Sequence, residues 1–187
     1  MKFQRLFLSI TLMTFGAVAF SQSLQQSAPP SNAQKSFDAM KSLAGTWQGP
    51  VTTDPKMEGM GDGAHTQVTL RVTSRGNALV HEMKEASTPD DPARYDHPVT
   101  MFYLDSDRLN LVHYCDAGNR PHMIARTSPD GRTIEFDFVD ISGSTQYGHM
   151  QHAVFTIIDS NHHTEDWTYL MSGDKSVRAH IDLQRAK

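Results

Sequence analysis

The sequence predicts an all-β fold, namely an antiparallel up-and-down β-barrel of about nine or ten strands with a short N-terminal helix. Apolar and polar residues alternate in short segments from about residue 67 to residue 183, which is the period of half-buried strands. No connection is long enough for a crossover helix, so neighbouring strands must pair antiparallel. A sheet of this many strands tends to curl, and closing it into a barrel removes its exposed edges; a two-layer sandwich is the alternative.

Residues 1–21 are predicted to be a signal peptide that directs export to the periplasm or out of the cell. Lys2 and Arg5 precede an apolar run that extends to Phe20, and a run of about 15 residues is short for a membrane span. The small residues Ala17 and Ala19 favour cleavage after Ala19, whereas cleavage after residue 21 or residue 23 is the alternative. We therefore expect no integral membrane span in the mature chain.

The net charge bears on the expected partners, and the cysteine content bears on how the fold is stabilised. The leader contains two basic residues and no acidic ones, so the mature chain has 15 basic and 21 acidic residues and a formal charge of −6. A net acidic chain without a basic cluster repels phosphate backbones, so nucleic acid is not an expected partner. The single cysteine, Cys115, cannot form an intrachain disulfide, so stability must come from the hydrophobic core.

The mature chain is expected to begin with a linker and a short helix. Residues 22–36 are rich in Ser, Gln, Pro and Asn and predict a flexible linker, which leaves residues 37–187 as the barrel domain. Phe37, Met40 and Leu43 have helical spacing. This helix would either close one end of the barrel or lie on its outside.

The strands follow in order, and each is bounded by residues that favour turns or loops. Residues 74–77 (Ser-Arg-Gly-Asn) and 128–131 (Ser-Pro-Asp-Gly) are typical tight turns. Residues 87–97, 116–121 and 141–148 are rich in Pro, Asp, Gly or Ser and predict loops. The predicted strands comprise residues 67–72, 78–86, 99–104, 109–114, 122–127, 133–140, 149–158, 163–171 and 177–183.

A ligand site inside the barrel is predicted from the residues that share a strand face. Ligand pockets are mostly apolar and contain a few placed polar groups. Leu111 and His113 share one face, and Met101 and Tyr103 share a face of the preceding strand, so His113 and Tyr103 would orient a ligand head group if both faces point inward. Arg126 would pair with an anionic head group. Simple alternation of a core face and a solvated face is the alternative explanation.

A transition-metal site is another interpretation, because the chain has ten histidines. Such a metal needs two to four imidazole or thiolate ligands that converge on one ion. His113 and Cys115 are two residues apart and share a face if the strand continues, and His122 follows the next loop. Alternatively, His113 is a hydrogen-bonded barrel residue and Cys115 is a small buried hydrophobe.

The motif Gly45-Thr46-Trp47, behind the short helix and ahead of the strands, resembles the start of a lipocalin-type (calycin) barrel. The resemblance implies that Trp47 lies on the first strand and packs across the closed end of the barrel without touching a ligand. It also implies that residues 52–64 form the loop over the open end, and that the partner is a small, mostly apolar molecule. The chain also resembles uncharacterised exported bacterial proteins, which share a segment like residues 113–121.

A narrower resemblance is to nitrobindin, a haem-binding barrel of ten strands in which a histidine on the last strand ligates the iron. His180 has a comparable place in the last predicted strand, so the resemblance implies haem as an alternative cofactor. The Gly-rich signature that follows the Trp in nitrobindin is replaced here by Gly49-Pro50-Val51.

No motif in the sequence selects a reaction. The chain has no Gly-x-Ser-x-Gly, no phosphate-binding Gly-rich loop and no Cys-x-x-Cys, and its carboxylates show no pairing suited to general acid–base catalysis. The sequence therefore predicts an exported binding protein that holds an apolar ligand without a cofactor and without covalent chemistry. The alternatives are a haem or metal protein that uses His180 or the His113, Cys115 and His122 group, an enzyme on the same scaffold, and an interaction protein with a filled interior.

Overall fold

A computed structural model describes residues 29–57, 64–128, 131–171, 173 and 175–187 of the chain. The predicted signal peptide and residues 22–28 of the predicted linker lie outside the described residues. Residues 58–63, in the middle of the predicted loop over the open end, also lie outside them.

Ten antiparallel strands form one closed barrel, which confirms the predicted fold class. Each strand pairs with its neighbours in the sequence, and the last strand also pairs with the first. The strands are β1 (Gly45–Asp54), β2 (His65–Thr73), β3 (Ala78–Glu85), β4 (Val99–Asp105), β5 (Arg108–Tyr114), β6 (Asn119–Thr127), β7 (Thr133–Gly143), β8 (His149–Asp159), β9 (His162–Leu170) and β10 (Ser176–Arg185).

The pairing of β1 with β10 closes the barrel, with Trp47 opposite Arg185 and Val51 opposite Ile181. The two backbones come close together at Gly49, where an added Cβ atom would lie 1.7 Å from the carbonyl oxygen of Asp182. A residue without a Cβ atom is therefore needed at this point of the seam.

The helix α1 (Asn32–Ser42) begins five residues earlier than the apolar spacing predicts. The side chain of Ser31 caps it, because its Oγ accepts a hydrogen bond of 3.2 Å from the backbone N–H of Gln34. Residues 32–36 are therefore helical, which corrects the predicted end of the linker. Composition alone suggested a linker there because the first turn carries no apolar stripe.

The helix covers the end of the barrel at which β1 begins. Phe37, Met40 and Leu43 are buried and belong to the same hydrophobic cluster as the barrel interior. The helix contacts β2, β4, β5 and β6. Of the two placements that the sequence left open, the structure has the one in which the helix closes an end. No helix among the described residues is long and apolar enough to cross a bilayer.

The half of the barrel next to α1 is packed solid. Trp47 is fully buried, and its Nε1–H donates a hydrogen bond of 2.7 Å to the carbonyl oxygen of Leu43. Phe102, Phe136 and Phe155 pack together with ring centroids 5.4–5.9 Å apart. Burial of each such ring stabilises the fold by about 1.5–3 kcal/mol. This part of the barrel therefore supplies most of the hydrophobic core.

Two of the predicted loops are partly strand. β6 and β7 remain paired as far as Asn119 and Gly143, although residues 116–121 and 141–148 were predicted to be loops. Backbone pairing does not require alternating side chains, so the loss of periodicity hid these strand ends. The buried Asn119 holds the loop between β7 and β8 in place, because its Nδ2 donates hydrogen bonds to the carbonyl oxygens of Ser144 (2.9 Å) and Gly148 (2.6 Å).

Candidate functional site

The other half of the barrel encloses a cavity of about 470 Å³, a volume typical of small-molecule sites. The cavity is at the end of the barrel opposite to α1. Strand β1 begins beside α1, and Thr53, which lines the cavity, is near the other end of that strand. Met57 and Met171 are exposed residues of the lining, so the cavity opens to solvent at this end. Its wall is mainly apolar and includes Val51, Met83, Met150, Trp167, Ala179 and Ile181.

His113 is a buried polar residue in the wall of this cavity. Its Nδ1 shares a hydrogen bond of 2.8 Å with the hydroxyl group of Thr100, which lies opposite it on β4. Its Nε2 is buried and has no hydrogen-bond partner among the described residues. Burial, together with the charge of His81, lowers the pKa of His113 from 6.5 to about 3. The imidazole is therefore neutral at pH 7 and offers one unused nitrogen.

A buried polar network lies beneath the cavity. Glu165 is fully buried, and its carboxylate is 2.9 Å from Nε2 of His81 and 3.1 Å from Nε2 of His163. It also accepts a hydrogen bond of 2.9 Å from the indole N–H of Trp167. Burial by itself raises the pKa of Glu165, but the charge of His81 and the hydrogen bonds from His163 and His81 outweigh burial and hold the pKa well below its usual range.

This network holds the floor of the cavity in place. Trp167 lines the cavity, and its ring centroid is 5.3 Å from that of His113 and 5.7 Å from that of His81. Because the indole N–H is bonded to Glu165, the orientation of the ring is fixed from below. The carboxylate therefore acts on the cavity through Trp167 and does not itself line it.

Charged side chains surround the mouth of the cavity. Lys84, Glu85, Asp96 and Asp116 belong to its lining, and the ammonium group of Lys84 is 3.6 Å from a carboxylate oxygen of Asp90. Asp96 accepts a hydrogen bond of 3.1 Å from the backbone N–H of Asp116. Burial, and next the charge of Asp116, raises the pKa of Asp96. The mouth is therefore acidic.

The structure divides the predicted ligand residues between the two faces of the sheet. Leu111 and His113 point inward, and His113 lines the cavity, whereas Leu111 is buried in the packed half. Met101 and Tyr103 lie on the outer face of β4, because their inward neighbours are Thr100 and Phe102. The prediction that Met101 and Tyr103 belong to an inward ligand site is therefore wrong.

Arg126, the predicted partner of an anionic head group, also lies on the outer surface. Its guanidinium bonds to Asp137 and Glu135 on the neighbouring strand β7. Arg126 is therefore remote from the cavity. Side chains of β6 alternate between the two faces of the sheet, and Met123, on the other face, is fully buried.

The proposed metal ligands do not come together. His113 and Cys115 both line the cavity, but His122 points outward, where its Nε2 is 3.0 Å from the side-chain oxygen of Asn110. His122 pairs with Val112 on β5, so it lies on the face opposite to His113. Burial raises the pKa of the Cys115 thiol, which disfavours the thiolate form that binds metals. Nowhere in the described ranges do three His, Cys, Asp or Glu side chains group so that they could hold a metal ion.

His180, the residue suggested for haem, also faces away from the interior. Its side chain is 41% exposed, and its Nδ1 is 2.8 Å from a carboxylate oxygen of Asp166. The inward residues of β10 are Val177, Ala179, Ile181 and Leu183. The position of His180 therefore does not fit iron ligation inside the barrel.

The buried network was not predicted from the sequence, although one signal pointed to it. His163, Glu165 and Trp167 occupy alternate positions of β9, so the inward placement of Trp167 places the other two inside as well. Their polarity instead favoured a solvated face. The acidic mouth was also missed, because its residues come from loops and strand ends that are distant in the sequence.

Comparisons with known proteins identify the fold. No protein-family model matches the chain, and no curated protein matches it either. Among solved structures, it is similar to Rv2717c from M. tuberculosis, with a TM-score of 0.58 and 13% sequence identity over 81% of this chain and 98% of that one. It is also similar to a protein of unknown function from the DUF3598 family of Nostoc punctiforme PCC 73102, with a TM-score of 0.50 and 10% identity over 79% of this chain. This chain spans about half the length of the Nostoc protein (49%). At these identities the similarity concerns the ten-stranded barrel fold alone.

Proposed function

We propose that the protein is an exported binding protein of the calycin type, which holds a small, mostly apolar molecule in the cavity and performs no covalent step. The observation that carries the proposal is an apolar cavity of about 470 Å³ that is lined in part by His113, whose buried Nε2 has no hydrogen-bond partner in the described part of the chain. An unbonded buried polar atom costs about 1–3 kcal/mol, which a hydrogen bond from a ligand would offset.

Affinity would come mainly from burial of apolar ligand surface. A ligand that buries about 200 Å² of apolar surface gains about 5 kcal/mol before the cost of association. The neutral His113 would supply orientation, since a single placed polar group in an apolar wall distinguishes one end of a ligand from the other.

The two tryptophans make this function measurable. Trp167 lines the cavity, whereas Trp47 is buried outside it. Titration of the folded protein with the neutral dye Nile red should change the intrinsic fluorescence of the wild type, and the change should be largely absent in Trp167→Phe. A flat titration with Nile red, together with no co-purifying small molecule in native mass spectrometry, would contradict the proposal.

A matched pair of variants tests whether the dye binds inside the cavity. Ala179→Phe adds a ring inside the cavity and should weaken dye binding at least tenfold, whereas Val139→Phe adds the same ring on the exposed outer face and should leave binding unchanged. Arg126→Ala should also keep the wild-type affinity, because Arg126 lies outside the barrel. Equal loss of binding in the two phenylalanine variants would place the dye elsewhere.

We propose export on the basis of the leader-like residues 1–21. N-terminal sequencing of the protein purified from its host should find a chain that begins after residue 19, 21 or 23. An intact N-terminus in the cytoplasmic fraction would contradict export but would leave ligand binding unaffected.

A further inference from the structure

We propose that the cavity selects an amphipathic amine, with its apolar tail inside the barrel and its protonated nitrogen at the mouth between the carboxylates of Glu85, Asp96 and Asp116; this inference rests on the proposed function. The sequence suggested an anionic head group paired with Arg126. An amine is proposed instead, because Arg126 is bonded to Asp137 on the outer surface.

The charge at the mouth favours a cation. Three carboxylates line the cavity against one ammonium group, and that group, on Lys84, has its own counter-ion in Asp90 at 3.6 Å. A carboxylate ligand would therefore meet net negative charge as it enters. A protonated amine would meet attraction, which is stronger at a partly desolvated mouth than in bulk water.

Asp96 and Asp116 are held side by side by the backbone. The N–H of Asp116 donates to the carboxylate of Asp96 at 3.1 Å, which fixes the loop before β4 against the end of β5. Burial raises the pKa of Asp96, and the charge of Asp116 raises it further, as expected where two like charges repel each other. A cation between the two carboxylates would relieve that repulsion.

A second and independent feature indicates that a guest occupies this space. His113 lies near the end of β5, and Asp116 is three residues further along in the turn that follows, so their Cα atoms are at most about 11 Å apart. His113 is fully buried, it lines the cavity, and its Nε2 has no partner among the described residues. A residue of the apolar wall thus carries a buried polar atom whose hydrogen-bonding capacity the described part of the chain leaves unused. The feature does not depend on the acidic mouth.

The test compares three ligands with the same ten-carbon tail: decylamine, decanol and decanoate. Isothermal titration at pH 7 and low salt, below the concentration at which the ligands aggregate, should give affinities in the order amine, alcohol, acid. We expect the amine to bind at least tenfold more tightly than the alcohol, and this advantage should shrink as salt screens the mouth.

Substitutions test whether the tighter binding of the amine than of the alcohol arises from the carboxylates at the mouth. The double substitution Asp96→Asn and Asp116→Asn should remove most of the difference between amine and alcohol and should leave the affinity for the alcohol unchanged. The matched control is the double substitution Asp105→Asn and Asp107→Asn, which removes two exposed carboxylates in the turn between β4 and β5, at the closed end of the barrel. The control should bind all three ligands as the wild type does.

The outcomes separate this inference from the function on which it rests. Equal affinities for amine and alcohol, or tighter binding of the acid, would overturn the selectivity while they support an apolar binding cavity. Failure of all three ligands to bind the folded protein would overturn both. An amine advantage that persists in the Asp96 and Asp116 variant would overturn the assignment of the nitrogen to the mouth.

Discussion

The burial of His113 should make the stability of the protein depend on pH in a way that one substitution can isolate. In the unfolded chain a histidine accepts a proton near pH 6.5. In the folded protein burial lowers the pKa of His113 to about 3. Between these two values the unfolded state binds more protons, so the free energy of unfolding falls as the pH falls. The contribution is fully present above pH 6.5 and decreases towards pH 3.

The size of the effect follows from the two pKa values. Linkage gives a loss of about 2 kcal/mol from His113 alone between about pH 8 and about pH 5. Gln at this position cannot ionise, so His113→Gln should lose about 2 kcal/mol less than the wild type over the same interval. The other titrating groups are common to both proteins and cancel in the comparison.

Urea unfolding at the two pH values, followed by tryptophan fluorescence, measures the four free energies required. His122→Gln is the matched control for the loss of an imidazole, because His122 lies on the outer face of the barrel. Equal losses in the wild type and His113→Gln would refute the inference that the fold holds this imidazole neutral. A change of the same size in His122→Gln would also refute it.

Two further predictions concern the packed half of the barrel and its seam. Glu165→Gln should lower the free energy of unfolding by about 3 kcal/mol in urea titrations, because it removes the buried charge that His81, His163 and Trp167 all contact; a loss below about 1 kcal/mol would contradict the structural role of the charge. Gly49→Ala should destabilise the fold by about 2 kcal/mol or more, because its Cβ atom would collide with the backbone of β10 and force the closing strands apart. Thr52→Ala, on the exposed face of the same strand, is the control and should change stability by less than about 1 kcal/mol.

The fold could be predicted from the sequence because alternation is a direct record of burial. β5 shows why the method works, since Leu109, Leu111 and His113 alternate with the polar Arg108 and Asn110 and reveal the inward face. β4 shows where it fails. Apolar or aromatic side chains occupy both of its faces, so the pattern contains no contrast, and Met101 and Tyr103 were placed inside when Phe102 is the buried residue.

The candidate site was predicted only in part, for a different physical reason. His113 was found because it continues an apolar face. Glu165 was missed because a buried carboxylate is stable only with hydrogen-bond donors from other strands, and one of these donors, His81, is 84 residues away in the sequence. The acidic mouth is likewise created by the barrel closure, which brings the ends of β3, β4 and β5 to one rim.

The half-filled barrel separates two demands that compete in most small proteins. Residues near α1 form most of the hydrophobic core, while under the proposed function those around the rim select the ligand, so few side chains serve both purposes. Substitutions at the rim can then accumulate at little cost to folding. Two solved structures share the fold at only 13% and 10% sequence identity, so the frame itself constrains few positions of the sequence.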